Sequence, residues 1–565
     1  MFSAFSNIGG LPPPSADAAP RVIPPPTPVR FPQCSPQSDV KVPRKRGGVS
    51  LVNLLQNIHR PTDIRVSHLE AVGVHVISDV SPQDLLPDAS YLPPVEKWNK
   101  IASEDLLGAN EATRKPLSNG CLSPGVHTYR DRQKELLTDN TAAFRSIRRI
   151  PTPAGESPVR LGNAYEFFKN LEFFSGYWPD TSLSQKPQPR RSETTDSTDG
   201  VKPVPSHLQT HVPSGNGAQL PPDYRQHLIT AFVKLVTYDF GCNVSFPRTE
   251  PRLHLTPSRV PSPKSTPPPS YFNSSVTFVY RLPVERFAAR AGIVEGPVAT
   301  LSARNSTVFK NPSDEILDLA REVVGVLITA QHRAREGRTE KRFGNAKWWT
   351  CTPRWGGGPG GPIGREGDKA EEIALALAAG LPEKLPTSAT GPTPPVVEEA
   401  PGVKMANEVK RQIGGLNGST PPKRSKKAGG KESSMMAIYE QYRKMNAPSA
   451  TWDRKARYSA IGKVAGQGYD DIFLMSALNH HISIVRARVS EKLLSVLDGG
   501  EEDEWDRLEI RRTKWYDLYL GEERVEAMGC IWGVMAWLMR KVENPIDGES
   551  VASGDDKEAE KMDLS

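Results

Sequence analysis

Cysteine is scarce. Five thiols, Cys34, Cys121, Cys242, Cys351 and Cys530, are scattered over 565 residues. No two have metal-ligand spacing, and an odd, dispersed set excludes a disulfide framework. Long apolar runs are also lacking: residues 528–539, the most apolar stretch, fall well short of the roughly 20 residues that cross a bilayer, so no membrane span is expected. The first residues have no charged segment leading into an apolar core and reach Pro12-Pro13-Pro14 almost at once. The expectation is a soluble intracellular protein without a signal peptide. Hydrophobic residues make up only 37%, too few for the whole chain to offset its ordering entropy by burial.

No catalytic signature is present either. The glycine run 356–361 follows no strand pattern, and the helix predicted after it opens with Asp368, Glu371 and Glu372, which repel phosphate. Cys242 with His227 or His254 forms no recognisable nucleophile–base motif. His207 and His211 lie among Pro203, Pro205 and Pro213, which disfavour the helix that would bring them together. His480 and His481 fall within a stretch that reads as helical, where neighbours diverge by about 100° and cannot share an ion. No catalytic residue, metal ligand or cofactor site is assigned from the sequence.

Proline and glycine are abundant, 53 and 45 residues, and they divide the chain. A Pro-rich tail, 1–48, precedes a weakly patterned segment, 49–180, in which Ser50 can cap a short helix and Val72, Val74 and Val76 alternate as in a strand. That segment ends in an aromatic cluster whose Phe167, Phe168, Phe173, Phe174 and Trp178 are candidates for docking a protein partner. Residues 181–221 read as linker. An α+β module is expected over 222–350, with a Pro-rich insertion at 247–270, strands near 276–282 and 298–303, and a helix whose Asp314 and Glu315 suit its positive end. Residues 351–432 form a Trp/Gly loop, a short helix and a basic linker. Over 433–543, Ile472, Met475, Leu478, Ile482, Val485, Val489, Leu493 and Val496 step by three and four. They predict a long helix within an all-α bundle, completed by a helix near 522–541. Residues 544–565 are an acidic tail. The expected fold class is therefore multi-module with extensive disorder, a small α+β middle module and an all-α C-terminal bundle.

The most informative motif is Ser/Thr-Pro-x-Lys/Arg. It occurs at Thr27, Ser157, Thr256 and Thr420, where composition alone predicts roughly one occurrence. This pattern resembles the substrate consensus of proline-directed, cyclin-dependent-type kinases. A phosphate at any of these positions adds up to two negative charges beside a cation. Thr420 abuts Lys423, Arg424, Lys426 and Lys427, a compact basic cluster of the kind that directs nuclear import.

The net charge of +7 is dilute, and only non-specific backbone contact with nucleic acid through the basic linker is expected. The reading from sequence is a nuclear, non-enzymatic regulatory or scaffold protein that binds protein partners and is tuned by phosphorylation. Alternatives are a chromatin-associated cofactor and a divergent enzyme with its site in 222–380. Oligomeric state has no sequence signal.

Overall fold

The computed structural model describes residues 25, 27–42, 49–152, 155, 157–185, 214–245, 251–258, 270–281, 283–285, 293–304, 309, 311–334, 457–464 and 466–542. All belong to one compact unit. In chain order its strands are β1 (Lys41–Val42), β2 (Val74–Ile77), β3 (Cys242–Ser245), β4 (Arg252–Leu255), β5 (Ser270–Asn273), β6 (Val276–Arg281), β7 (Ile293–Ala303), β8 (Arg457–Ser459), β9 (Tyr469–Leu478), β10 (His481–Ser490), β11 (Trp505–Asp506), β12 (Leu508–Arg512) and β13 (Tyr516–Asp517). The helices that pack on them are α1 (Leu51–Gln56), α2 (Val66–Val72), α3 (Val126–Leu136), α4 (Asn140–Arg148), α5 (Tyr165–Ser175), α6 (Pro222–Thr237), α7 (Pro312–Arg333), α8 (Glu491–Leu497) and α9 (Gly521–Met539). None of the described helices is long and apolar enough to cross a membrane.

Nine strands form a single mixed sheet in the order β2-β12-β10-β9-β7-β6-β3, with β13 paired to β10 and β8 to β7. β3, β6 and β7 form an antiparallel meander. β7 then runs parallel to β9, and α7 lies in the connection between them, since parallel neighbours require a crossover. α3 to α6 and α9 cover one face of the sheet. α1, α2, α7 and α8 cover the other.

This architecture overturns the expected fold class. There is no all-α C-terminal bundle and no separate middle module, because strands from 74–77, 242–303 and 457–517 pair in one sheet. The stretch read as a long helix is the β9–β10 hairpin followed by the seven-residue α8. Its sheet is covered on both faces, so residues of both parities are apolar: Phe473 and Met475 face one helical layer, while Ile472 and Leu474 face the other. A strand buried this way shows no two-residue alternation, and any three- or four-residue spacing can be picked out of it. The segment around Trp505, Leu508 and Trp515, part of the stretch 433–543 expected to be all-α, instead supplies β11, β12 and β13.

Several local expectations do match. Ser50 caps α1, its hydroxyl accepting from Asn53 N at 3.2 Å. α7 starts with Pro312 and places Asp314 and Glu315 in its first turn, where the helix dipole favours acids. Its capping residue is Asn311, whose N–H donates to Asp314 at 3.1 Å. α9 is buried on nearly every side, and Trp532 meets Tyr129 and Phe240 edge-on at 5.1 and 5.2 Å. Within the 247–270 insertion, however, Arg252–Leu255 form a strand, β4, which pairs with β5 and buries Leu253 and Leu255.

Candidate metal centre

β9 ends at Leu478, and the chain reverses through Asn479 and His480 into β10. Asn479 adopts the left-handed conformation, φ 56°, which Asn tolerates better than most residues. β13 pairs with the start of β10, setting Asp517 opposite His481. The Leu518 N–H donates to the His480 carbonyl at 2.9 Å and fixes the turn against the strand. Three potential ligands thereby converge: His480 Nε2 lies 3.8 Å from Asp517 Oδ1, and His481 Nε2 lies 3.7 Å from Oδ2. One ligand atom from each residue falls within 4.8 Å of the others, and all three residues are buried.

The surroundings orient the carboxylate and leave the imidazoles unsatisfied. The Thr181 hydroxyl donates to Asp517 Oδ2 at 2.6 Å, and the Tyr519 N–H donates to Oδ1 at 2.9 Å. Both ring nitrogens of His480, Nδ1 of His481 and both amide atoms of Asn479 are buried without a hydrogen-bond partner among the described residues. Each such group forfeits about 1–3 kcal/mol unless something else satisfies it. Burial pushes His480 well below the ordinary histidine range, helped by His481, and burial also lowers His481 against the opposing pull of Asp517. Both rings are therefore neutral, the form that binds metals.

Negative charge gathers nearby. Burial pulls Arg524 down to about 10, against the attraction of Asp180, Asp517 and Asp139. Asp180 is held by Asn140, whose amide donates to its two oxygens at 3.1 and 3.0 Å. With the imidazoles neutral, the three carboxylates that act on Arg524 exceed its one positive charge, and that excess favours a cation. Two imidazoles and a carboxylate, with ligand atoms under 5 Å apart, suit a tetrahedral zinc-like ion bound at about 2.0–2.2 Å.

Aromatic side chains enclose the centre. Trp178 and Tyr519 lie 5.6 and 4.8 Å from the His480 ring. Phe31, from the N-terminal segment, caps His481 edge-on at 5.0 Å and stacks on Trp515 at 5.5 Å. Behind Trp515 lies a buried ion network: Arg304 pairs with Asp318 (2.8 Å) and Glu322, and Arg512 pairs with Glu322 (3.0 Å).

The aromatic residues offered above as docking candidates belong to the core. Phe167, Phe168, Phe174 and Trp178 are buried, and Phe173 stacks on Tyr224 of α6 at 3.9 Å. Four of the five are therefore spent inside the unit, and only half-buried Phe173 retains exposed surface.

Of the phosphorylation candidates, Ser157 is exposed, while Thr27 and Thr256 are half-buried. Thr420 and the import candidates Lys423, Arg424, Lys426 and Lys427 lie outside the described residues, as do the 356–361 glycine run, His207 and His211. Cys242 is buried, and desolvation pushes its thiol up to about 12, which leaves no thiolate at neutral pH. Arg486 is buried in a two-pronged pair with Asp471 at 3.0 Å.

Helical geometry would keep His480 and His481 apart, but they lie at the turn and first residue of a β-hairpin, where both reach Asp517. Asp517 lies 36 positions after His481 with no motif to link them, and only the β10–β13 register joins them. Comparison with protein-family models, curated proteins and solved structures found no match for this chain.

Proposed function

We propose that this protein is a non-enzymatic regulatory or scaffold protein of the nucleus, and that a divalent ion of the zinc type held by His480, His481 and Asp517 braces its folded unit. Closure of that centre carries the reading. All three ligand residues are buried beneath Phe31, Trp178 and Tyr519. Three protein ligands leave the fourth position of a tetrahedral ion to a water, and the aromatic cover shields that position from substrate. The ion would join the β9–β10 turn to β13 and satisfy imidazole nitrogens that otherwise lack partners. The folded unit then serves as a rigid platform for partners. The kinase-consensus sites and the Lys423–Lys427 cluster supply the regulatory and nuclear parts of the reading.

The test is metal content and metal-linked stability of the full chain. We expect about one zinc per chain on purification, a melting temperature that falls on chelation and recovers on adding zinc, and loss of both properties in His481→Gln and Asp517→Asn. A protein that purifies metal-free and whose melting is unmoved by zinc would sink the proposal. So would bound metal that survives both substitutions.

One observation favours an enzymatic second reading. The centre sits at the carboxyl ends of the parallel strands β7 and β9, the end at which α/β sheets place ligands, and its outer cover is a segment of the N-terminal tail. Zinc-dependent hydrolysis that appears only in Phe31→Ala would favour that reading.

A further inference from the structure

The segment after α4 folds back over that helix. The Ile150 N–H donates to the Arg145 carbonyl at 2.9 Å, and the Ser146 hydroxyl donates to the Val159 carbonyl at 3.2 Å. Val159 packs on the core. Between these ties lies a cavity of about 320 Å³. Arg145, Ser146 and Arg149 line its helix side, and Thr152, Ser157 and Val159 line its loop side.

Two features distinguish this cavity. Arg148, between the two lining arginines in sequence, is paired with Glu172 of α5. Among the described residues, Arg145 and Arg149 have no carboxylate partner, and both face the space that Ser157 borders. Ser157 is also the exposed member of the four proline-directed consensus sites among those described, followed by Pro158 and the required cation Arg160. A kinase recognition sequence and a ready arginine pair therefore share one cavity.

We propose that Ser157 is phosphorylated by a proline-directed kinase, and that its phosphate docks between Arg145 and Arg149, fastening residues 157–160 to α4. In the transfer, the bond from Ser157 Oγ to the γ-phosphorus of ATP forms as the bond to ADP breaks, and the hydroxyl proton leaves through the kinase's base. The phosphate then offers three acceptor oxygens to two guanidinium groups, which bind such oxygens with paired N–H donors. After modification the two arginines hold a common anion. The proposal deepens the regulatory reading by naming one site and its structural consequence. The two fail separately, because a metal-free protein would leave this docking untouched.

The test has two arms on the full chain. In the first, a cyclin-dependent kinase and ATP are applied to the wild type and to Ser157→Ala, with phosphosites mapped by mass spectrometry. Modification of Ser157 supports the proposal, and modification confined to other sites overturns it. In the second, phosphoserine is installed at position 157 by genetic encoding, and amide exchange is followed across 150–160. We expect exchange to slow about tenfold or more, as charge-assisted contacts to an ordered phosphate should produce. In the Arg145→Gln, Arg149→Gln double variant the same phosphate should give no added protection. Unchanged exchange in the phosphorylated wild type, or equal protection in the double variant, overturns the docking. α4 exchange in the unmodified double variant checks that the helix remains folded.

Discussion

Replacing Arg304 by Met should be among the most destabilising single changes in the molecule. Its guanidinium is 1% exposed and lies against Asp318 and Glu322, whose side chains are 5% and 0% exposed. It also donates to Ser476 of β9, whose hydroxyl donates in turn to Glu322 at 2.6 Å. Methionine fills a similar volume but leaves Asp318 without its cation and Glu322 with Arg512 alone. Removing one partner from a buried ion network costs about 3–5 kcal/mol, because the remaining charge is stranded. With a urea slope near 3 kcal/mol per M, the denaturation midpoint should fall by roughly 1–1.7 M.

The pH dependence gives a second, independent check. In the wild type, Arg304 and Arg512 outweigh desolvation and hold Glu322 down at about 2. A depressed carboxylate contributes stability above its unfolded pKa of about 4.3, and that stability is lost as pH falls toward 2. Burial already raises Asp318 against the pull of Arg304; without Arg304 it rises further and Glu322 loses its largest downward pull, so both bind protons more readily in the folded state and the variant regains stability on acidification. The deficit of Arg304→Met should therefore be largest near pH 7 and shrink toward pH 4.5. Replacing Arg304, Asp318, Glu322 and Arg512 together by apolar residues should be far milder than the single change. A cost below about 1 kcal/mol for Arg304→Met at pH 7, or a deficit that grows on acidification, would refute this account.

Two further outcomes follow from packing. Gly462 sits at φ +72°, and a Cβ there would lie 2.4 Å from the Leu538 carbonyl oxygen, whereas Gly466 at φ +80° has open space around it. Gly462→Ala should cost about 2 kcal/mol or more and Gly466→Ala only about 1, a difference that paired urea titrations would resolve and that equal costs would contradict. Phe168→Ala removes a fully buried ring beside Phe167 and should lower stability by about 3–5 kcal/mol. If stability holds while partner capture fails, the ring belongs to a docking surface after all.

Local signals in the sequence determined much of the local structure. Ser50 before an apolar helix face, acids at the start of α7, alternation through Val276, Phe278 and Tyr280, and the apolar run of α9 each depend on interactions within a few residues. Such interactions are legible because neighbours in sequence are neighbours in space. The kinase-consensus motifs are legible for the same reason, since a kinase reads a short extended stretch.

Only the tertiary structure decided the rest. β9 and β10 could pass for a helix because a strand enclosed on both faces needs apolar residues of both parities, which erases the two-residue alternation. Once they are strands, His480 and His481 occupy a turn instead of diverging around a helix, and the register with β13 carries Asp517 to them across 36 residues. The Arg304 network ties a residue just past β7 to α7, β9 and β12 in the same way, and the cavity at Ser157 lies where the chain returns to α4. Long-range pairing follows from what the completed sheet can bury, a property of the whole chain that no single window of sequence contains.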